Sequence, residues 1–168
     1  MAVQAIPTGF HTLTPYVVAS GAAALIEFLK RGMGAEVMHL SSHADGSVMH
    51  ATIKIGDSML MLSDGRGGWP ARPTDFYLYV TSVDEWYARA MGAGATSIKP
   101  PTNEFYGDRV GGVTDGSGNR WWFATHVEDV SEEEMKREAP RPPWTPMRCD
   151  PPLRPWQEAL AGWVERSR

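Results

Sequence analysis

The fold can be inferred from residues 12–35, TLTPYVVASGAAALIEFLKRGMGA. They contain the sequence signals of a strand, of a helix and of the glycines that end the helix. Residues 12–19 are rich in β-formers and run into Ser20-Gly21, which is a turn signal. From Ala22 to Arg31, large apolar residues recur at helical spacing among alanines, and the glycines of residues 32–35 end the helix. This stretch therefore predicts a strand followed by an amphipathic helix.

The same order of signals returns in residues 76–95, FYLYVTSVDEWYARAMGAGA. Residues 76–80 are rich in β-formers, residues 83–91 have the pattern of an amphipathic helix, and residues 92–95 again supply glycines. Gly34-Ala35 of the first stretch thus corresponds to Gly94-Ala95 of the second. We therefore predict a tandem repeat of one module.

Three candidate strands follow each helix. They cover residues 36–41, 47–55 and 58–62 in the first half, and residues 96–99, 109–114 and 120–126 in the second. A doubly wound sheet would need a helix after nearly every strand, and each half has only one. The sequence therefore predicts an α+β fold of two β-α-β-β-β modules, about residues 11–64 and 74–126.

Composition and charge exclude several classes of protein. The 168 residues suffice for one domain, and 42% hydrophobic with 21% charged residues excludes disorder throughout. The net charge of −4 offers no basic surface, so we expect no nucleic acid partner. No apolar run reaches the roughly 18 residues of a membrane span, and residues 1–10 do not resemble a signal peptide. Because the single Cys149 fits a reducing compartment, we expect a cytoplasmic protein with no membrane partner.

Prolines mark the predicted end of the domain. Seven of the thirteen prolines lie within residues 140–155. Just before them, Ser131 and Glu134 have the spacing of a capping box, which predicts a short helix over residues 131–138. Beyond them, Trp156, Leu160 and Trp163 recur at helical spacing. We therefore predict a domain over residues 1–138 and a proline-rich tail with an amphipathic helix over residues 139–168.

Several short phrases carry a resemblance to a known family. They are Leu13-Thr-Pro-Tyr16, His50-Ala-Thr-Ile-Lys-Ile-Gly56, Met59-Leu-Met-Leu-Ser-Asp64, Tyr106-Gly-Asp-Arg109, Asp115-Gly-Ser-Gly-Asn-Arg120 and Thr125-His-Val-Glu-Asp-Val-Ser-Glu-Glu-Glu-Met135. In this order and spacing they resemble the vicinal oxygen chelate superfamily, which includes glyoxalase I, bleomycin-resistance proteins and extradiol dioxygenases. The PhnB-like branch is the most similar, and the resemblance covers roughly residues 12–138.

The resemblance implies a U-shaped mixed sheet whose concave side holds a small molecule. Metal-dependent members place His, Gln or Glu ligands on the first and last strands of each module. Those positions correspond here to residues near Thr14, near Leu60 or Met61, near Thr74 or Asp75, and at Trp122. Of these residues, only Asp75 is a strong ligand for a divalent ion. We therefore predict no metal at this position and no other cofactor.

Candidate ligand contacts in the first module follow from strand alternation. The polar His50 and Thr52 share one face of a predicted strand, and Ala51 and Ile53 share the other. His50 is a candidate hydrogen-bond donor or general base near neutral pH, and the alternative is a histidine exposed at a strand start. Two methionines of the next strand, Met59 and Met61, add an adaptable apolar surface for ligands, although core packing is the other role open to them.

In the second module, the resemblance places Trp122 and His126 of the last strand toward the cavity. Trp122 offers a flat apolar surface for a planar ligand, and packing as core is its alternative role. His126 is a candidate proton carrier or, alternatively, a solvated strand end.

A loop of the second module supplies the remaining candidates. The guanidinium of Arg109 is a candidate clamp for an anionic ligand, with Glu104 and Tyr106 as neighbouring ligand contacts. The alternative is that Arg109 pairs with an acidic neighbour.

These residues lead to a glyoxalase- or bleomycin-resistance-like protein, expected as a homodimer, that binds a small planar or drug-like ligand without metal. The alternative is a metal-free isomerase, lyase or cyclase in which His50 or His126 moves a proton and Arg109 stabilises an anion. A third hypothesis is a metal-dependent lyase or dioxygenase whose metal ligands, such as His11 and His50, lie away from the usual positions of the family. Binding is favoured because the sequence places no two titratable groups within evident reach of each other.

Overall fold

The computed structural model describes residues 3–138 and divides them into two modules of the same order. Module 1 consists of β1 (Tyr16–Ala19), α1 (Ala22–Met33), β2 (Glu36–Ser42), β3 (Val48–Ile55) and β4 (Ser58–Asp64). Module 2 consists of β5 (Asp75–Tyr79), α2 (Val83–Gly92), β6 (Thr96–Asn103), β7 (Asp108–Thr114) and β8 (Arg120–His126), and α3 (Glu132–Glu138) follows it. The predicted α+β fold of two tandem β-α-β-β-β modules is confirmed.

Each module forms its own four-stranded mixed sheet. The strand orders are β1-β4-β3-β2 and β5-β8-β7-β6, so the two sheets have the same topology. In both, the first strand pairs in parallel with the last, and the remaining neighbours are antiparallel. The single U-shaped sheet of the prediction is thus two sheets in this chain. Part of the outer edge of β1 is occupied by the linker between the modules, because Arg72 N donates to Val18 O at 3.1 Å.

Two strands, β1 and β6, differ most in length from their predictions. β1 begins at Tyr16 rather than at residue 12, and β6 continues to Asn103 rather than ending at residue 99. Residues 100 and 101 are prolines, which normally interrupt a strand because they lack a backbone donor. β6 tolerates them because it is an edge strand with register shifts between Ser97 and Thr102.

The helices pack on one side of the sheets and against each other. Gly32 of α1 lies close to Ala90 and Ala93 of α2, since a Cβ on Gly32 would be 3.3 Å from an atom of each. The buried apolar residues of both modules form one core cluster, with Leu29 and Ile53 from module 1 and Trp121 and Phe123 from module 2. The two modules therefore share a core between their helices.

The C-terminal end of the described chain has the predicted capping box. Ser131 N donates to Glu134 Oε2 at 3.1 Å, and Glu134 N donates to Ser131 Oγ at 3.3 Å. The amphipathic helix predicted around Trp156 lies outside the described residues, so the division into residues 1–138 and 139–168 stays a prediction. Within residues 3–138, no helix is long and apolar enough to cross a membrane.

Candidate functional site

Each sheet has one face covered by α1 or α2 and a second face that we call its helix-free face. On β3 of module 1, Ala51 and Ile53 point to the helices and are fully buried. His50 and Thr52 alternate with these residues and lie on the helix-free face. Thr52 is paired with Met61 of β4, and Met61 is paired with Tyr16 of β1. The helix-free face of module 1 therefore brings together the predicted residues His50, Thr52, Met59 and Met61.

His50 has aromatic neighbours on this face. Its ring centroid lies 5.9 Å from that of Tyr16 and 6.0 Å from that of His39. Its Nε2 is 3.4 Å from Thr52 Oγ1, which is a long hydrogen bond. Thr52 is 7% exposed, and Met59 is covered by the N-terminal segment, where a Cβ on Gly9 would be 2.8 Å from Met59 Cε. His50 can donate or accept a hydrogen bond here, but the described residues give it no carboxylate partner.

Trp122 dominates the helix-free face of module 2. Its neighbours in sequence, Trp121 and Phe123, point to the helices and are 1% and 0% exposed, as the predicted parity requires. The indole of Trp122 lies flat across Gly112 of β7, because a Cβ on Gly112 would be 2.6 Å from both Cε3 and Cζ3. Trp122 also pairs with Tyr77 of β5. The sheet thus supports one side of the half-buried indole on bare backbone.

His126 belongs to a hydrogen-bonded group at the end of the same face. Its Nδ1 is 2.8 Å from Asp108 Oδ1, and the other oxygen of Asp108 accepts from the Tyr79 hydroxyl at 2.9 Å. Its Nε2 is 3.0 Å from Asp129 Oδ1. Asp108 is 4% exposed, whereas His126 is exposed. Two titratable groups that are far apart in the sequence are therefore in direct contact.

These contacts change the protonation of the group. Hydrogen bonds first to Asp129 and then to Asp108 raise the pKa of His126 above its usual value. The hydrogen bond to Asp108 also raises the pKa of the Tyr79 hydroxyl. Burial, followed by the hydrogen bond with Tyr106, raises the pKa of Tyr77. At neutral pH this end of the face therefore holds neutral tyrosines and a histidine that readily takes up a proton.

The side chains of Arg109 and Glu104 have partners outside this group. The guanidinium of Arg109 points to the helix side, where Nε and Nη2 bond the two oxygens of Asp84 at 2.8 and 2.7 Å, and Nη1 bonds Asn103. This is the pairing with an acidic neighbour that the sequence left open. Glu104 forms an ion pair with Lys99. The structure does not bring Arg109 together with His126 or Trp122, so it supports no clamp by Arg109 on a ligand at that face.

Tyr106 contributes to the aromatic surroundings of the site. Its ring stands edge-on to Phe105 with centroids 5.2 Å apart, and its hydroxyl contributes to raising the pKa of Tyr77. Tyr77 and Tyr79 are in turn 5.6 Å apart, centroid to centroid. Tyr106 therefore lies at the tyrosine-rich end of the helix-free face of module 2.

A cleft of about 640 Å³ separates the two modules beside the outer edge of β5. Tyr77 and Tyr79 line one side, and Met59 with the turn between β3 and β4 lines the other, while Leu13 comes from the N-terminal segment. The cleft has the size of a small-molecule site. Tyr77 and Tyr79 also belong to the helix-free face of module 2, whereas Trp122 and His126 are not among the walls of the cleft, which include the helix-side Trp86 and Trp121.

The positions of the metal ligands implied by the resemblance carry poor donors. Only Asp75 among them is a carboxylate, and it is paired with Arg120; the other positions lie near Thr14, near Leu60 or Met61, and at Trp122. An indole cannot coordinate an ion, and a thioether or a threonine hydroxyl does not suit a divalent cation that prefers imidazole or carboxylate. Within residues 3–138, no three His, Cys, Asp or Glu side chains are grouped to hold a metal ion. The residues present do not fit a divalent metal, and we assign no step to one.

Sequence reasoning did not select Tyr77, Tyr79, Asp108 or Asp129 as site residues at this end of the face. Tyr77 and Tyr79 alternate with Phe76 and Leu78, and this pattern could have placed both tyrosines on the helix-free face. Asp129 carries no signal of its own, because it follows β8 in an irregular segment.

Comparisons with known proteins agree with the fold. The family model described as "Glyoxalase/Bleomycin resistance protein/Dioxygenase superfamily" matches residues 10–123. The uncharacterized protein Mb0911c of Mycobacterium bovis is 30% identical over 135 residues, which cover 74% of this chain and 89% of that protein.

Two solved structures have the same fold at low sequence identity. TioX from Micromonospora sp. ML1 has a TM-score of 0.60 and 22% identity. The match covers 70% of this chain and 99% of the TioX chain. TnmS3 from Streptomyces sp. CB03234, described as an antibiotic binding protein, has a TM-score of 0.57 and 20% identity. That match covers 74% of this chain and 100% of the TnmS3 chain.

Proposed function

The chain belongs to the glyoxalase/bleomycin resistance protein/dioxygenase superfamily, and from that premise we propose that it binds a small planar organic molecule on the helix-free face of module 2. The observation that carries the proposal is the position of Trp122. Its partly buried indole lies against Gly112 on one side, and we take the other face of the ring as the surface on which a flat ligand stacks. The cleft between the modules gives such a ligand a place to extend beyond the ring.

Metal independence is part of the proposal. Where the resemblance places metal ligands, this chain has Met61, Trp122 and an Asp75 that already pairs with Arg120, which favours contact with an aromatic ligand over an ion. Met59 and Met61 are polarizable and adaptable, which suits ligands of differing shape. Elemental analysis of protein grown with zinc, nickel, manganese and iron is expected to find no stoichiometric metal, and a bound equivalent would overturn this part.

The ligand class follows from the same features. We take the ligand to be a planar, drug-like compound, and the fold is compatible with this, since TnmS3 is described as an antibiotic binding protein. We also propose that the protein belongs to the PhnB-like branch of the superfamily, because its sequence phrases are most similar to that branch. We further propose a cytoplasmic location and no nucleic acid or membrane partner.

We also propose that the protein is a homodimer. Val37 and Leu40 of the edge strand β2 are 39% and 50% exposed, which leaves apolar surface for a second copy. Light scattering coupled to size-exclusion chromatography tests this, and a monomer at micromolar concentration would contradict it.

Trp122→Ala tests the proposed site. The probes are bleomycin and anthraquinone-2-sulfonate, titrated against the intrinsic tryptophan fluorescence of the protein. We expect Trp122→Ala to weaken binding of a planar probe at least tenfold, about 1.4 kcal/mol, because the stacking surface is lost. Trp69→Ala is the matched control, since Trp69 is 70% exposed in the linker. Equal affinity in the two variants would remove Trp122 from the site.

Gly112→Ala provides a second test that keeps the indole. A methyl group 2.6 Å from Cε3 and Cζ3 must push the ring off the sheet, so we expect binding to weaken in this variant too. Gly116→Ala is the control, because a Cβ there meets no atom within 4 Å. Mass analysis of the recovered probe shows whether it was only bound or also altered.

A further inference from the structure

The cleft between the modules leaves apolar side chains at the edge of the core partly open to solvent. Its described lining is mainly apolar, and Leu78 and Trp86 are only half-buried there although both pack against the core cluster. On the opposite wall, Leu13 is 84% exposed. Because burial of apolar surface is favourable, this cleft has the character of a docking surface as well as of a ligand site.

The edge of β5 adds unused backbone groups to the same cleft. Thr74 O and Val80 N bond to β8, so the alternate residues Tyr77 and Tyr79 direct their N–H and C=O groups to the outer edge. No residue within 3–138 forms a backbone hydrogen bond with these outer groups. An occupant of the cleft therefore needs apolar side chains together with donors for the carbonyl oxygens of this edge.

We propose that the tail of the same chain, residues 139–168, fills this cleft by packing Trp156, Leu160 and Trp163 against its walls. These three residues, which we call the tail stripe, lie outside the described residues. Their spacing of four and three residues predicts that they share one face of a helix, and a helix that lays its apolar face into a groove is a common mode of docking.

The composition of the tail matches the cleft. Each indole of the tail stripe offers a large apolar surface and one N–H donor, and the guanidinium groups of the tail supply further donors. The tail has five arginines against one aspartate and two glutamates, a net charge of +2, which leaves −6 for residues 1–138. Among the described residues that line the cleft, Asp57 is the only carboxylate, and none is a lysine or an arginine. Apolar character and charge therefore both favour the tail as occupant.

The length of the tail and the place where it begins permit this docking. β8 is parallel to β5, so β8 ends at the same end of the sheet as Tyr79, and Thr81 just beyond is part of the cleft wall. Residues 139–155 reach about 50 Å at polyproline spacing, well above the radius of gyration of about 14 Å expected for a domain of this size. Since the tail stripe and the cleft belong to one chain, a high effective concentration favours docking within the chain over docking of a second copy.

Docking of the tail stripe has a consequence for the ligand. A planar molecule that stacks on Trp122 and extends into the cleft competes with the tail stripe for the same apolar walls, whereas a compact molecule does not. This consequence rests on the proposed binding function. The docking itself does not, and its test contains no ligand, so failure of one leaves the other standing.

The test is cross-linking between two introduced cysteines in the full-length protein with Cys149→Ser. Leu13→Cys places one thiol in the cleft wall, and Ala159→Cys places the other in the middle of the tail stripe. A short bismaleimide is added to dilute protein, and mass analysis separates links within a chain from links between chains. The matched control combines Ala159→Cys with Gly116→Cys, in the turn between β7 and β8, where a Cβ meets no atom within 4 Å. We expect the Leu13 pair to link within the chain at least tenfold faster than the control pair.

Substitutions in the tail give the second comparison. Trp156→Gln combined with Trp163→Gln should slow the Leu13 link to the rate of the control pair, whereas Trp144→Gln, which changes a tail tryptophan outside the tail stripe, should leave the rate unchanged. Hydrogen exchange needs no introduced cysteine. We expect the edge amides of Tyr77 and Tyr79 to exchange at least tenfold more slowly in wild type than in the double variant, because the docked tail stripe covers that edge.

Three results would overturn the proposal. Equal rates for the Leu13 and Gly116 pairs would show that the tail does not prefer the cleft. Links between two chains in place of links within one would assign the cleft to the tail of a second copy. A Leu13 rate that Trp156→Gln with Trp163→Gln leaves unchanged, or equal exchange of the edge amides in wild type and that variant, would show that the tail stripe does not cover the cleft.

Discussion

The imidazole of His126 bonds Asp108 at 2.8 Å and Asp129 at 3.0 Å, and both bonds strengthen when the ring is protonated. Its pKa is therefore higher in the folded protein than in the unfolded chain, where about 6.5 is usual. A raised pKa stabilises the fold fully below the unfolded value and ceases to do so as pH rises through the folded value. We expect the stability lost in His126→Gln, measured by urea unfolding, to be larger at pH 5.5 than at pH 9. His43→Gln is the control, and a loss that does not vary with pH would contradict the expectation.

The residue scale is also where sequence reasoning was weakest. The parity of β3 could be predicted from alternation and that of β8 from the family resemblance, and Trp121 and Phe123 are buried as the predicted parity of β8 requires. The hydrogen-bond partners of His126 and Arg109 could not be predicted, because they depend on the register between strands and on how a helix lies across the sheet. Asp84 bonds Arg109 from α2, and Tyr79 reaches Asp108 from β5. The sequence suggested no two titratable groups within reach of each other because Asp108 and His126 are distant in the sequence and meet only through the pairing of β7 with β8.

At the scale of elements, Asp64 joins three segments of module 1. It ends β4, its Oδ1 accepts from Gly21 N and Ala22 N at the start of α1, and its Oδ2 accepts from Val48 N at the start of β3. Gly21 has no side chain to cap the helix, so Asp64 supplies the missing acceptor and its negative charge favours the helix N-terminus.

We expect Asp64→Ala to lower the free energy of unfolding by about 2 kcal/mol, because three backbone donors lose a charged acceptor. Urea denaturation monitored by circular dichroism measures the change. Asp57→Ala, in the exposed turn between β3 and β4, is the matched control, with an expected change within about 0.5 kcal/mol. Equal effects of the two substitutions would show that Asp64 does not hold α1 to the sheet.

The order of the elements was predictable because each boundary has a local cause. Gly34 ends α1 in the left-handed conformation at φ 65°, which favours glycine, and Ser82 caps α2 by accepting from Glu85 N. β6 was predicted too short because Pro100 and Pro101 usually end a strand, and a sequence does not reveal that a strand lies at an edge with an irregular register. The separation into two sheets likewise depends on the outer edges of β1 and β5, which no local signal describes.

At the scale of the whole molecule, the contact between α1 and α2 helps to connect the modules. Gly32 of α1 faces Ala90 and Ala93 of α2, and these small residues let the two helix backbones approach closely. The core cluster continues across this contact from Leu29 to Trp121. Since buried apolar area is the main source of stability, the modules should unfold together in one cooperative transition.

Gly32→Leu tests this coupling, because a leucine side chain at 3.3 Å from Ala90 and Ala93 has no room unless the helices separate. We expect it to lower the free energy of unfolding by about 3 kcal/mol and to split the urea transition into two steps, as each module loses its support from the other. Gly116→Leu is the control, since its Cβ meets no atom within 4 Å. Tryptophan fluorescence follows module 2 through Trp121, and far-ultraviolet circular dichroism follows both modules. If the two signals still coincide in Gly32→Leu, the modules remain coupled without this contact, and the coupling must come from elsewhere in the shared core.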